Sequence, residues 1–274
     1  MPIGSRLSGG AMTSTAEAIG HPDPWRGRFG VAVIAHRGFS GKAPENTLAA
    51  FRKAVEIGAD MIELDVRFCR DGRLVVFHDD TLERTTSGKG RVADFTFDQL
   101  RQLDAGAWFG PAFTGERIPS LKEVFDLSRG NILNIELKKG NQGRYSMLDL
   151  ADQTVREVSE AAMERQVLIS SFDLSALARI LQRNLSFLIG WITDSIHLPL
   201  DPLEGRTLLF IHPCQSLLNE EKLLAMHKEG TRVNVWTVNK EQEMERFISM
   251  GVDGIITDHP DRLIDLLRKK ERAS

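Results

Sequence analysis

Glu63 and Asp65 stand two residues apart in the run MIELDVRF, which begins at Met61. On a strand such residues share a face, so both acids point one way while Ile62, Leu64 and Val66 point the other. An Asp71-Gly72 turn follows, and the apolar run Leu74 to Phe77 then delivers His78 and Asp79 where it stops. Further on, Asn134, Glu136 and Lys138 alternate with Leu133, Ile135 and Leu137, which places a third acid and a lysine on one inward face. Buried like charges lose hydration and repel, so they need a cation, a shared proton or a basic partner. All-oxygen ligands suit Mg2+ or Ca2+ rather than zinc. Such a metal, with Lys138 and the Arg37 of His36-Arg37-Gly38, makes a positive cradle for a phosphate. His36 and His78 are then placed to take and give protons as general base and general acid. Together these residue types point to phosphodiester chemistry.

The elements that must position them are short apolar runs alternating with longer amphipathic stretches from Val31 onward, the signature of a parallel sheet. Strands are expected at Val31 to Ala35, from Met61, at Leu74 to Phe77, Ile132 to Leu137, Val167 to Phe172, Phe187 to Ile192, Leu208 to His212, Val233 to Val238 and Gly254 to Thr257. Helices are expected from Leu48, where Asn46 or Thr47 caps, at Thr96 to Leu103, Ile118 to Leu127, Leu148 to Met163, Leu174 to Arg183, Glu220 to Glu229 and Glu241 to Met250. Nine strands are one more than a closed (β/α)8 barrel uses, so either one is peripheral or the barrel is irregular. The link between the Asp65 and Leu74 strands is too short for a helical crossover. Residues 80–114 are longer than a crossover needs and read as a lid inserted after the third strand. In a parallel α/β barrel the chemistry gathers at the carboxyl ends of the strands, so His36, Glu63, Asp65, His78, Glu136, Lys138 and Trp236 would meet at one mouth. His197, His212, His227 and His259 read as ordinary half-buried histidines.

The 274 residues allow one barrel domain, expected over 29–270, behind a flexible Gly/Ser/Thr/Ala-rich tail over 1–28. With 42% hydrophobic and 27% charged residues the composition is that of a globular chain with a sizeable core, not a disordered one. A net charge of -3 gives no reason to expect nucleic acid or stable membrane association. No apolar run forms a signal peptide or a membrane span, so a cytoplasmic protein is expected. Cys69 and Cys214 stand far apart, in no metal-ligand spacing, and read as reduced. Composition says nothing of the oligomeric state.

The ordered motifs carry a resemblance. AHRG at Ala35, PENT at Pro44, ELDV at Glu63, VVFHDD at Val75, LERTTSGKG at Leu82, IPSLKEV at Ile118, NIELK at Asn134, SSF at Ser170, VWTVN at Val235 and GIITDHP at Gly254 run in order over about 230 residues. The chain resembles the glycerophosphodiester phosphodiesterases, the bacterial cytosolic type within the phospholipase-C-like barrel enzymes. The resemblance implies a TIM barrel with a small inserted lid and a divalent cation bound by Glu63, Asp65 and Glu136. It also implies His36 and His78 as the acid/base pair, Arg37 and Lys138 on the phosphate, Trp236 lining a glycerol pocket, and Glu45 as a further substrate-binding candidate. The implied reaction is hydrolysis of a small-molecule glycerophosphodiester to sn-glycerol 3-phosphate and an alcohol. Two alternatives stand beside it. One is a lysophospholipase D-like or sphingomyelinase-like activity on a lipid, for which Phe39, Trp108, Phe109 and Trp191 would supply an apolar rim. The other is a degenerate barrel that only binds.

Overall fold

Fully buried apolar runs pair edge to edge because each satisfies its backbone only through its neighbours. The computed structural model describes residues 23, 25–140, 142–184, 186–195 and 208–273. Its strands are β1 (Ala32–Ala35), β2 (Met61–Phe68), β3 (Leu74–Val76), β4 (Ile132–Leu137), β5 (Val167–Ser171), β6 (Leu188–Thr193), β7 (Phe210–Pro213), β8 (Arg232–Val235) and β9 (Gly254–Thr257). Eight of them form a closed parallel ring, β1-β2-β4-β5-β6-β7-β8-β9, with β9 paired back to β1. The ninth is β3, which pairs antiparallel with the extension of β2, Val66 facing Val76. The missing crossover is thus explained: Asp71-Gly72 closes a hairpin, and Gly72 has φ 81 with no room for a side chain, since a Cβ would lie 2.4 Å from the Tyr145 hydroxyl.

The helices are α1 (Leu48–Ile57), α2 (Phe97–Leu100), α3 (Leu121–Leu127), α4 (Met147–Glu160), α5 (Leu174–Arg183), α6 (Glu220–Lys228), α7 (Glu241–Met250) and α8 (Pro260–Ala273). Their ends follow local chemistry. Thr47 caps α1 through the Ala50 N–H, and Gly58 closes it in the left-handed region. Ser120 and Glu123 form a reciprocal capping box that starts α3 at Leu121, later than the expected Ile118, whose side chain belongs to another core. Helix α8 was not foreseen; it begins at Pro260, a residue suited to a first turn, and buries Leu263, Ile264, Leu266 and Leu267.

The main core lies between ring and helices, where Val33, Leu64, Ile135 and Ile169 meet Phe51, Phe125, Leu150 and Phe247. A second cluster fills the amino-terminal half of the ring itself: Ala32, Ile34, Met61, Ile132, Leu168, Phe210 and Ile256. Trp25 packs its ring edge on Phe210 with centroids 5.8 Å apart, and Asp23 pairs with Arg232, so contacts with the barrel begin before the boundary expected at residue 29. The expected tail over residues 1–22 and His197 lie outside the described residues. A third cluster belongs to the inserted segment, where Leu82, Val92, Phe97, Leu100 and Ala105, joined by Ile118 just beyond it, cover Cys69, Val75 and Phe77 of the hairpin. Both cysteines are free. No helix among the described residues is long and apolar enough to cross a membrane.

Candidate active site

Because the lower half of the ring is filled with hydrocarbon, only its carboxyl end is open to a ligand. There a cavity of ≈ 150 Å³ is lined by His36, Glu63, His78, Glu136, Lys138 and Trp236, among others. On one wall Glu63, Asp65 and Glu136 bring carboxylate oxygens within 4.8 Å of one another. The register accounts for this, since β2 and β4 are parallel neighbours with Glu63 beside Asn134 and Asp65 beside Glu136. Their exposures are 3%, 1% and 9%, so water cannot neutralise them.

Two cations reach this wall. Lys138 places its ammonium 2.6 Å from Glu136 and 3.5 Å from Asp65. Arg37 places Nε 3.4 Å from Asp65 and donates its backbone N–H to Glu63 Oε2 at 2.7 Å. That N–H is aimed by a left-handed Arg37, φ 54, an unfavourable conformation for a residue with a Cβ. Burial raises the Asp65 carboxyl, but the charges of Lys138 and Arg37 and a hydrogen bond from Asn46 outweigh it and hold it well below the usual range. Glu63 goes the other way: burial, then Asp65 and Glu136, push its carboxyl well above the usual range against Arg37. Its Oε1 and the Oδ1 of Asn134 are buried with no hydrogen-bond partner. A wall of hard oxygen donors, short of positive charge at Glu63 and with unpartnered oxygens, fits a divalent cation such as Mg2+ or Ca2+.

Both histidines at the mouth are held the same way. His36 Nδ1 lies 2.6 Å from Asp258 Oδ1, and His78 Nδ1 lies 2.5 Å from Asp79 Oδ1. A carboxylate at Nδ1 fixes the proton there and leaves Nε2 as the nitrogen free for substrate. Asp258 is itself gripped by Asn239 at 2.6 Å and Ser40 at 2.9 Å. Burial raises its carboxyl, yet the hydrogen bond and charge of His36, with those two donors, keep it below the usual range. His78 is positioned from behind by a fully buried Arg67, which donates to the carbonyls of Phe77 and His78 and pairs with Asp80.

The opposite wall is apolar. Trp236 meets Phe172 edge to face at 5.8 Å and donates Nε1–H to the His212 carbonyl at 2.7 Å. His212 is fully buried rather than half-buried and lines the cavity; burial alone drives its imidazole down to about 3, so it stays neutral.

Of the residues singled out from sequence, the structure brings His36, His78, Glu63, Glu136, Arg37, Lys138 and Trp236 to the cavity wall. Asp65 completes the acidic group. Glu45 does not line the cavity: its carboxylate is taken up by Arg37 and Arg84. The supposed aromatic rim divides, because Phe39 and Trp191 are buried in the main core while Trp108 is 43% exposed and packs edge to face on Phe109. Sequence reasoning gave Asp258, Asn239 and Arg84 no role at the site and read Asn46 only as a candidate helix cap. All four stand in the motifs quoted above, and Asp258 also stands where the apolar run of β9 ends.

Comparison with known proteins agrees with this fold. Residues 36–262 match the model of the glycerophosphoryl diester phosphodiesterase family. The chain belongs to that family. A glycerophosphodiester phosphodiesterase from Caldanaerobacter subterraneus is 43% identical, the alignment covering 86% of this chain and 98% of that protein. A phosphodiesterase from Oleispira antarctica, solved in complex with the product sn-glycerol-3-phosphate, superposes with a TM-score of 0.76 at 32% identity, over 85% of this chain and 94% of that one. Human lysophospholipase D GDPD1 is 30% identical over 88% of this chain and 87% of its own length.

Proposed function

We propose that this member of the family hydrolyses glycerophosphodiesters to sn-glycerol 3-phosphate and an alcohol by two-histidine acid/base catalysis at the cavity. The observation that carries the reading is the pair of imidazoles, each fixed at Nδ1 by its own carboxylate, bordering a cavity with one acidic oxygen wall and one aromatic wall. Glu63, Asp65 and Glu136 would hold Mg2+ or Ca2+, which when bound supplies Lewis-acid polarisation of the phosphoryl group and eases ionisation of an oxygen nucleophile.

The chain's own groups do the rest. Arg37 and Lys138 bring positive charge to the phosphate, and Trp236 with Phe172 excludes water from the glycerol carbons. One imidazole takes the proton from the attacking oxygen as the new P–O bond forms. The other gives a proton to the departing alkoxide as the old P–O bond breaks, which is needed because an alkoxide is a far stronger base than imidazole. Attack by water gives sn-glycerol 3-phosphate directly, whereas attack by the substrate's neighbouring hydroxyl gives a cyclic phosphate, whose ring P–O bond water then opens with the two imidazoles in exchanged roles. Asp258 and Asp79 stabilise whichever ring is charged.

A headgroup panel with a coupled glycerol 3-phosphate readout tests this reading. Turnover of at least one glycerophosphodiester, abolished by EDTA and restored by Mg2+ or Ca2+, is expected. Absence of product with every diester would overturn it. A lysophospholipase D-like reading is favoured by one observation, the exposed Trp108 on the insertion. It predicts headgroup release from lysophosphatidylcholine without glycerol 3-phosphate.

A further inference from the structure

Arg84 lies in the insertion, outside the ring, and forks between two carboxylates. Its Nε donates to Asp79 Oδ2 at 2.6 Å and its Nη2 to Asp79 Oδ1 at 3.0 Å. Nη1 and Nη2 donate to Glu45 Oε2 and Oε1, both at 2.7 Å. Each of those carboxylates has one other partner facing the cavity. Asp79 holds His78, and Glu45 Oε1 accepts from Arg37 Nη1 at 2.7 Å. The result is an unbroken chain, Arg37–Glu45–Arg84–Asp79–His78, running round the rim of the mouth.

The loop that carries Arg84 is built to hold it there. Leu82 is fully buried, its N–H bonds the Gly90 carbonyl at 3.0 Å, and its carbonyl accepts from the Thr86 N–H and hydroxyl at 3.1 and 2.7 Å. A planar guanidinium satisfies two carboxylates along fixed directions, which a point charge cannot do. Without it Glu45 and Asp79 would repel each other, and both Arg37 and His78 would lose a fixed partner.

We propose that Arg84 is a positioning residue for hydrolysis, setting the Arg37 guanidinium and the His78 imidazole at once through Glu45 and Asp79. The inference rests on the roles given to Arg37 and His78 under the proposed function. It assigns the insertion a part in the reaction and not only in admitting substrate.

The test compares Arg84→Ala and Arg84→Lys, alone and combined with Asp79→Asn or Glu45→Gln, in steady-state kinetics on a glycerophosphodiester. Arg84→Ala should lower kcat/KM by ~10²-fold, the size of effect that a small misplacement of a reacting group produces, with kcat falling through His78 and KM rising through Arg37. Added guanidinium should return part of the activity, and Arg84→Lys should fall between. In either double variant the further loss from removing Arg84 should shrink, because the partner it acts through is already changed. Unchanged kinetics in Arg84→Ala, or additive losses in both double variants, would overturn the inference. If Arg84→Ala does not fold, Arg84→Lys decides, since wild-type kinetics with a point charge would exclude a role for the fork. If wild type itself releases no glycerol 3-phosphate, the failure is that of the proposed function. The ¹⁵N resonances of the His78 ring then still decide the positioning: a shift in Arg84→Lys supports it, and unmoved resonances overturn it.

Discussion

Asn46 and Asp65 hold each other at two points: Asn46 donates Nδ2–H to Asp65 Oδ2 at 2.7 Å, and the Asp65 backbone N–H donates to Asn46 Oδ1 at 3.2 Å. Asn46 is buried and left-handed at φ 55, a conformation that asparagine tolerates better than most residues. The clasp fixes the direction of a carboxylate that the proposed function makes a cation ligand. Asn46→Ala should therefore weaken Mg2+ or Ca2+ binding by about 10–100-fold, as loss of a ligand's orienting partner does. It should also cost about 1–3 kcal/mol of stability, because the buried Asp65 backbone N–H loses its hydrogen-bond partner and the carboxylate one of its donors. Calorimetric titration reads the first effect and denaturant unfolding the second. Wild-type affinity would mean that the ring alone positions Asp65.

Lys138 pairs with two of the three buried acids. Removing its charge leaves Glu136 and Asp65 with little besides Arg37 and Asn46, so Lys138→Met should lower the thermal unfolding midpoint in EDTA. The expected loss is about 3–5 kcal/mol, the cost of breaking a buried pair from one side. Saturating Mg2+ or Ca2+ should return most of that stability while turnover stays low, because the cation replaces the charge among the acids but not the contact with phosphate. A midpoint that does not respond to either ion would argue against a cation site at the triad.

Division of labour between His36 and His78 is readable through the leaving group. Replacing either by alanine should lower kcat by roughly 10²- to 10⁴-fold on a diester of an ordinary alcohol. With p-nitrophenolate departing, the variant that lacks the general acid should recover most of its rate, and the variant that lacks the base should not. Identical responses would assign both rings to orientation instead of proton transfer.

Asp152 on α4 receives paired hydrogen bonds from Arg179 and Arg183 of α5, at 2.7 to 2.9 Å. The Arg183 hydrogen bond, ahead of burial, and then that of Arg179 set its carboxyl below the ordinary 3.8. A group whose folded pKa is depressed contributes its stability above its unfolded pKa and loses it as pH falls towards the folded value. Wild type should thus exceed Asp152→Asn by about 1 kcal/mol at neutral pH, modest because the arginines are partly exposed. The gap should close as pH drops below 3.8, the ordinary aspartate value. A gap that stays constant across that range would assign the difference to packing.

The strands were legible because a buried parallel strand must be apolar throughout: β4 and β9 have the bounds their apolar runs give. The acids and Lys138 were legible for the converse reason, as charged side chains at alternating positions in such runs. What sequence did not show is what holds them. Asp258 is separated from His36 by 222 residues and Arg84 from Glu45 by 39, and no local period relates such partners. Glu45 was found by motif, but its carboxylate turned out to be shared between two arginines. Helix α8 was missed, since its burial depends on the ring it packs against.

The two histidines stand on unlike supports. His36 leaves the end of β1, inside the closed ring, whereas His78 leaves β3, an antiparallel strand hung on the outside of it. The three carboxylates all belong to ring strands. Lengthening or re-angling the hairpin would therefore move one imidazole relative to the other, reaching the acids through the Phe77 N–H bond to the Asp65 carbonyl at 3.0 Å. Under the proposed function the anchor of the phosphate would stay on the ring while the gap across it is set by a peripheral ribbon, so a change of hairpin length would alter the bulk of alcohol accepted.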